Sequence, residues 1–189
     1  EIMPSLVGSE MCIRDSLGAI NAALVQRLKT GRGQLIDVAM MRRALAQAKL
    51  AVQIGEVPVG AVVYTGEQVL AEAHNRRESQ ADPTAHAEVI AIRMAAQALG
   101  SWRLDRCNLA VTLEPCPMCA GALVNSRVKR LVYGAVDPKA GSVHSLYQIC
   151  TDHRLNHRLE VTGGVLIDQC GALLSAFFQQ RRRNRDTEK

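Results

Sequence analysis

This sequence holds no apolar run long enough to cross a bilayer, and its N-terminus lacks a basic stretch followed by an apolar core. Neither a membrane span nor an export leader is expected. A disulfide framework is missing as well. Of the six cysteines, Cys116 and Cys119 form a metal-type pair and the others are scattered. That points to a reducing, cytoplasmic setting. Cys107, Cys150 and Cys170 are expected to be buried thiols without a chemical role. Aromatic residues make up only 3% of the chain, and its two phenylalanines, Phe177 and Phe178, are adjacent. Excess charge is small and local. The net charge is +5, with residues 1–39 neutral, 40–180 carrying +2 and 181–189 carrying +3. The run Arg181-Arg182-Arg183-Asn184-Arg185 suits a polyanionic partner, or is only a solvated tail.

What is present is enough for one domain with a full-sized core: 189 residues, 48% hydrophobic and 22% charged. Residues 1–39 read differently from the rest. Positions 4–16 have no usable periodicity and resemble a translated sequencing adapter, and 17–40 resemble a segment of family III CoA-transferases. The expectation is a non-native or disordered extension over 1–39, with the native chain starting at Met40 or Met41. A natural extension with a helix at about 17–29 is the alternative.

From Met41 the pattern is regular. Leu45, Ala48 and Val52 recur at helical spacing before Gly55. A continuous apolar run at 57–64 reads as a strand buried on both faces, and 68–74 as its hairpin partner. Positions 75–84 form a polar loop, and 85–99 a helix ending at Gly100. Strands are expected at 109–113, 128–133 and 159–162. Pro117 opens a short helix, a further short helix is expected near Leu146, and Leu166, Cys170, Leu173 and Phe177 mark the stripe of a C-terminal helix. The order implies an α/β fold, with one five-stranded mixed sheet covered by helices on both faces and a site at the carboxyl ends of its strands.

Two segments carry the chemistry: Asp82-Pro83-Thr84-Ala85-His86-Ala87-Glu88 and Glu114-Pro115-Cys116-Pro117-Met118-Cys119. A catalytic zinc ion takes three nitrogen and sulfur ligands and leaves one position for water. His86, Cys116 and Cys119 are the three. Glu88 is the acid/base that moves protons for that water. Thiolates at a helix start are favoured by the helix dipole and the exposed N–H groups. Positions i and i+2 do not share a helix face, so His86 and Glu88 converge only at a first turn, which makes Ala85 the expected first helical residue. Cys-x-x-Cys alone would also suit a redox pair or half of a structural zinc site. A structural site would want further ligands, and no second Cys-x-x-Cys exists. His-x-Glu followed by Pro-Cys-x-x-Cys is the signature of zinc nucleobase deaminases.

Residues 41–183 closely resemble the bacterial tRNA-specific adenosine deaminases. The resemblance rests on Gly55-Glu56-Val57-Pro58-Val59-Gly60-Ala61, His74-Asn75-Arg76, the two site segments, Val132-Tyr133-Gly134-Ala135, Asn156-His157-Arg158 and Phe177-Phe178 with the basic run. It implies a three-layer α/β/α sandwich of the cytidine deaminase-like kind, a homodimer, one zinc ion per chain, and hydrolysis of the wobble adenosine of a tRNA anticodon stem-loop to inosine. By that resemblance His86, Cys116 and Cys119 hold zinc and Glu88 shuttles protons. Asn75 contacts the purine, and Val57 and Ala87 belong to the base pocket. Asp137 and Lys139 lie where flanking nucleotides bind, and Phe178, Arg181 and Arg182 where the C-terminal helix meets RNA. Residues 1–39 match nothing in the family, and His144 stands where many members have glycine.

Two rival readings remain. A deaminase of a free purine such as guanine, or of a nucleoside, shares the 82–88 segment but has no need of the basic tail. A catalytically idle zinc fold that only binds RNA would have no use for Glu88.

Overall fold

The computed structural model describes residues 35–187. The adapter-like stretch and the alternative helix at about 17–29 lie outside the described residues. The elements run α1 (Leu35–Gln53), β1 (Gly60–Thr65), β2 (Gln68–His74), α2 (Ala87–Leu99), β3 (Asn108–Leu113), α3 (Pro117–Asn125), β4 (Arg130–Ala135), a 3-10 turn (Ile149–Thr151), β5 (Glu160–Thr162) and α4 (Ile167–Thr187). The sheet order is β2-β1-β3-β4-β5. β1 pairs antiparallel with both β2 and β3, whereas β3–β4 and β4–β5 are parallel. This is the expected α/β architecture with a five-stranded mixed sheet.

Strand side chains alternate between two cores, as a period of two requires. Ala61, Val63, Leu109, Val111 and Leu131 pack with Ala91 and Ile92 of α2 and Leu123 of α3. Val62, Tyr64, Ala110 and Val132 pack on the opposite face with Met41, Ala44 and Leu45 of α1 and Cys170 of α4. Helices therefore cover both faces, which is why the strands read as unbroken apolar runs. Gly60 is demanded by this packing: a Cβ there would lie 2.1 Å from the Ala44 carbonyl oxygen and 2.6 Å from the Ala48 nitrogen.

Three expectations shift. The first described helix reaches ahead of Met40, since α1 begins at Leu35 and carries Asp37 into the protein. Asp37 is 1% exposed. Its carboxylate accepts two hydrogen bonds from the Arg130 guanidinium, at 2.8 and 2.7 Å, and a third from the Tyr64 hydroxyl at 3.3 Å. Strand β1 starts at Gly60 rather than Val57, since the Val59 N–H turns back to the Val57 carbonyl at 2.8 Å. Near Leu146 there is no helix, and the 3-10 turn at Ile149–Thr151 takes its place. The reason is local competition for amides. The N–H groups of Val143, His144 and Ser145 all donate to the Glu114 carboxylate, so they cannot close a helical turn.

Candidate metal centre and base pocket

Both chemical segments leave a strand and enter a helix at its first turn. His86 is the N-cap of α2, with an extended backbone (φ −76°, ψ 150°). The preceding turn is fixed by Asp82, whose Oδ1 accepts from the Thr84 N–H at 2.8 Å and the Thr84 hydroxyl at 2.6 Å. The first helical residue is thus Ala87, two positions later than expected. This removes the conflict between His86 and Glu88: His86 stands outside the helix, so the facing rule for regular helices does not bind the pair. Cys116 is likewise the N-cap of α3, with Pro117 at the first helical position where a missing N–H costs nothing.

The two starts meet. His86 Nδ1 lies 3.7 Å from Cys116 Sγ and 3.5 Å from Cys119 Sγ, and the three donor atoms lie within 4.8 Å of one another. A tetrahedral ion with nitrogen at about 2.0–2.1 Å and sulfur at about 2.3 Å sets N···S edges of about 3.5 Å. Both N···S distances are near that value, so the donor set suits such an ion. The Cys116 thiol is pulled down to about 4, chiefly by the hydrogen bond from Cys119 and then by that from His86. The Cys119 thiol is pushed up, because it donates to Cys116 and is buried. Both would have to be thiolates to hold a cation, so binding would release protons. Glu88 is 4% exposed and stands outside the trio. Burial raises its pKa above the ordinary carboxylate range.

Of the residues singled out in the sequence, Val57, Asn75, His86, Ala87, Glu88, Cys116 and Asp137 line one pocket of about 160 Å³. Val59, Arg77, Leu113, Glu114 and Ala140 complete its wall and had been given no role. A wider groove of about 630 Å³ shares Val57, Leu113 and Asp137 with it and continues to Lys139, Phe178 and Arg182. Arg181 is not brought there. One helix position before Arg182, its guanidinium sits 6.0 Å from the centre of the Phe177 ring, in a separate cleft with Val52 and Gly55.

The sequence reading also missed the residue that shapes the pocket's far wall. Glu114 is 2% exposed and accepts from the N–H groups of Asp137, Val143, His144 and Ser145 and from the Ser145 hydroxyl. Burial alone would raise its pKa, but those bonds outweigh it and hold the carboxyl at about 2. The loop from Asp137 to Ser145 is thereby tied to the segment that carries Cys116. Gly141 is required there, since a Cβ would lie 2.5 Å from the Glu114 carboxylate. His144 is accommodated through Nδ1, 3.0 Å from the Tyr133 hydroxyl. In the sequence Glu114 stood at the head of the Cys116 segment with no role assigned, because its partners lie more than twenty residues away.

A pocket that joins a His/Cys/Cys metal trio to a buried carboxyl at two helix starts defines a deaminase of the zinc-signature type. Residues 37–182 match the MafB19-like deaminase family model. The chain is 48% identical to the tRNA-specific adenosine deaminase of Bacillus subtilis over 79% of its length and 92% of that protein. It is 49% identical to the Haemophilus influenzae tRNA-specific adenosine deaminase over 81% and 89%. A solved chain from work on A-to-I editing by tRNA:A34 deaminases superposes with a TM-score of 0.70 at 42% identity, covering 72% of this chain and 99% of that one. The protein belongs to the family of the tRNA-specific adenosine deaminases. The family match begins at residue 37, inside the stretch that the sequence reading set aside.

Proposed function

We propose that this protein deaminates adenosine to inosine at the wobble position of a tRNA anticodon, by zinc-dependent hydrolysis that releases ammonia. The observation that carries the reading is the His86, Cys116 and Cys119 trio beside buried Glu88, in one pocket that opens into the groove of Lys139, Phe178 and Arg182. Zinc held by the trio supplies the Lewis acidity that makes water a nucleophile near neutral pH. An anticodon base must leave its stack to enter such a pocket. Val57 and Ala87 pack against it and Asn75 hydrogen-bonds it. Glu88 takes a proton from the attacking water and delivers protons to N1 of the purine and to the departing amine. C6 thus gains oxygen and loses ammonia. Asp137, Lys139 and Phe178 receive the flanking nucleotides.

The homodimer implied by the resemblance belongs to this proposal. No described helix is long and apolar enough to cross a membrane, and a cytoplasmic site of action is part of the same reading. Incubation with an anticodon stem-loop bearing a wobble adenosine should yield inosine, from a species of twice the 20.6 kDa chain mass in sedimentation. Faster deamination of free guanine than of the stem-loop would give the reaction to the free-purine reading instead.

The split of the basic helix sharpens a second expectation. Arg182 shares the groove with Lys139 and Phe178, while Arg181 faces the cleft on the other side of α4. Each phosphate neutralised on a single strand contributes a slope of about −0.7 in log affinity against log salt. Arg182→Gln should therefore flatten the salt dependence of stem-loop binding by about 0.7. Arg181→Gln should leave the slope unchanged. Equal slopes for all three proteins would make the run a solvated tail.

A further inference from the structure

Glu56 lies in the turn between α1 and β1 and is 1% exposed. Each of its carboxylate oxygens has its own donor. Oε2 accepts from Asn75 Nδ2 at 3.0 Å, and Oε1 accepts from the Ser79 backbone N–H at 2.7 Å. A carboxylate has no hydrogen to give, so only the NH2 end of the Asn75 amide can face it. The orientation of that amide is thus fixed by chemistry. Asn75 is 6% exposed, follows directly on β2, and lines the base pocket with His86 and Glu88. With one N–H committed to Glu56, it has a second N–H and its carbonyl oxygen left for whatever fills that pocket.

We infer that Glu56 is a positioning residue: it sets the amide orientation of Asn75 and thereby the donor–acceptor pattern that the pocket offers to a purine. The inference rests on the proposed role of Asn75 as the purine contact and adds what fixes its polarity. A base that matches one amide orientation meets donor against donor or acceptor against acceptor in the other. Buried mismatches of this kind discriminate far more strongly than a change of apolar contact. The arrangement also explains why a buried acid sits so close to a site whose proton chemistry belongs to Glu88. Glu56 is held in place by two fixed donors and offers no free oxygen for proton transfer.

Glu56→Gln provides the test, because glutamine has one acceptor oxygen for two donors. The expected result is a KM for the anticodon stem-loop raised roughly tenfold, with kcat changed less than about threefold and zinc content unchanged. In an Asn75→Ala background Glu56→Gln should add less than about a twofold effect, since its route runs through Asn75. The swapped pair, Glu56→Gln with Asn75→Asp, rebuilds the hydrogen bond with its donor reversed. It should recover melting temperature while KM stays raised, because the pocket then meets a carboxylate. Recovery of KM by the swapped pair, or full additivity with Asn75→Ala, would reduce Glu56 to a structural role and overturn the inference. If the parent protein turns over free guanine instead of the stem-loop, the tRNA reading fails by itself. The same three variants, read by KM for guanine, then decide the case of Glu56.

Discussion

Glu88→Ala should keep about one zinc ion per chain and lose adenosine deamination by about 10²–10⁴-fold. Both halves of that expectation come from geometry. The donor atoms of His86, Cys116 and Cys119 lie together at distances that suit tetrahedral coordination, and Glu88 is outside the trio, so its removal leaves those three residues in place. The carboxyl is nevertheless buried next to them, and among the described residues lining the pocket Glu114 is the other glutamate, committed to five hydrogen bonds. Asp137, the remaining carboxyl of the lining, accepts through Oδ1 from the N–H groups of Lys139 and Ala140 and belongs to the loop on the pocket's far side. Glu88→Gln keeps the volume and controls for a cavity at the start of α2. It should be as inactive as the alanine variant, with a melting temperature nearer to the parent's. Metal analysis decides the assignment: a variant at position 88 that folds and dimerises but has lost its zinc would move Glu88 into the coordination sphere.

The trio was suggested by ligand type and motif together, His-x-Glu followed by Pro-Cys-x-x-Cys, whereas the meeting of the starts of α2 and α3 was not, because β1 separates the strands β2 and β3 that precede them. Strands β1, β3 and β4 were legible for a different reason. Both of their faces are buried, so their centres are apolar at successive positions, while Lys129 and Arg130 blurred the start of β4, which lies two residues later than expected. What stayed hidden depends on partners far away in the chain. Gly60 looks like one more small residue of β1 until α1 is seen to cross within reach of its missing Cβ. Glu114 looks like a strand end, and its four amide donors lie 23 to 31 residues further on. The same bonds explain the misplaced helix near Leu146. Periodicity there is weakly helical, but the amides that would start a helix are taken. The two-residue error at the start of α2 has a different origin: an N-cap keeps an extended backbone while its carbonyl accepts the first helical bond, here from the Ile90 N–H at 3.0 Å.

The largest stability effect is expected at Asp37, which a reading by hydrophobic pattern discards because it is a charge in a stretch that looks foreign. Arg130 and Asp37 are 93 residues apart and form a two-pronged pair, with Asp37 almost fully enclosed and Arg130 also donating to Thr162 Oγ1 at 2.9 Å. Removing one member of a buried pair leaves the other uncompensated, at a cost of about 3–5 kcal/mol. In a chain of this size each kcal/mol is worth roughly 2–4 °C, so Asp37→Ala should melt about 6–20 °C below the parent. Tyr64, 1% exposed, loses the acceptor of its hydroxyl as well. Asp37→Asn keeps an acceptor without the charge and should fall between the two. Because α1 covers the sheet face opposite to α2 and α3, the folded variant should retain its zinc and its KM at 25 °C. Deleting residues 1–39 removes Asp37 and should reproduce the loss. Deleting 1–34 should not, on our proposal that the foreign stretch ends ahead of Leu35. If Asp37→Ala and the 1–39 deletion both melt within about 2 °C of the parent, the ion pair adds nothing and the domain does begin at Met40. If the 1–34 deletion alone lowers the melting temperature, those residues contribute to the fold and are not a scar.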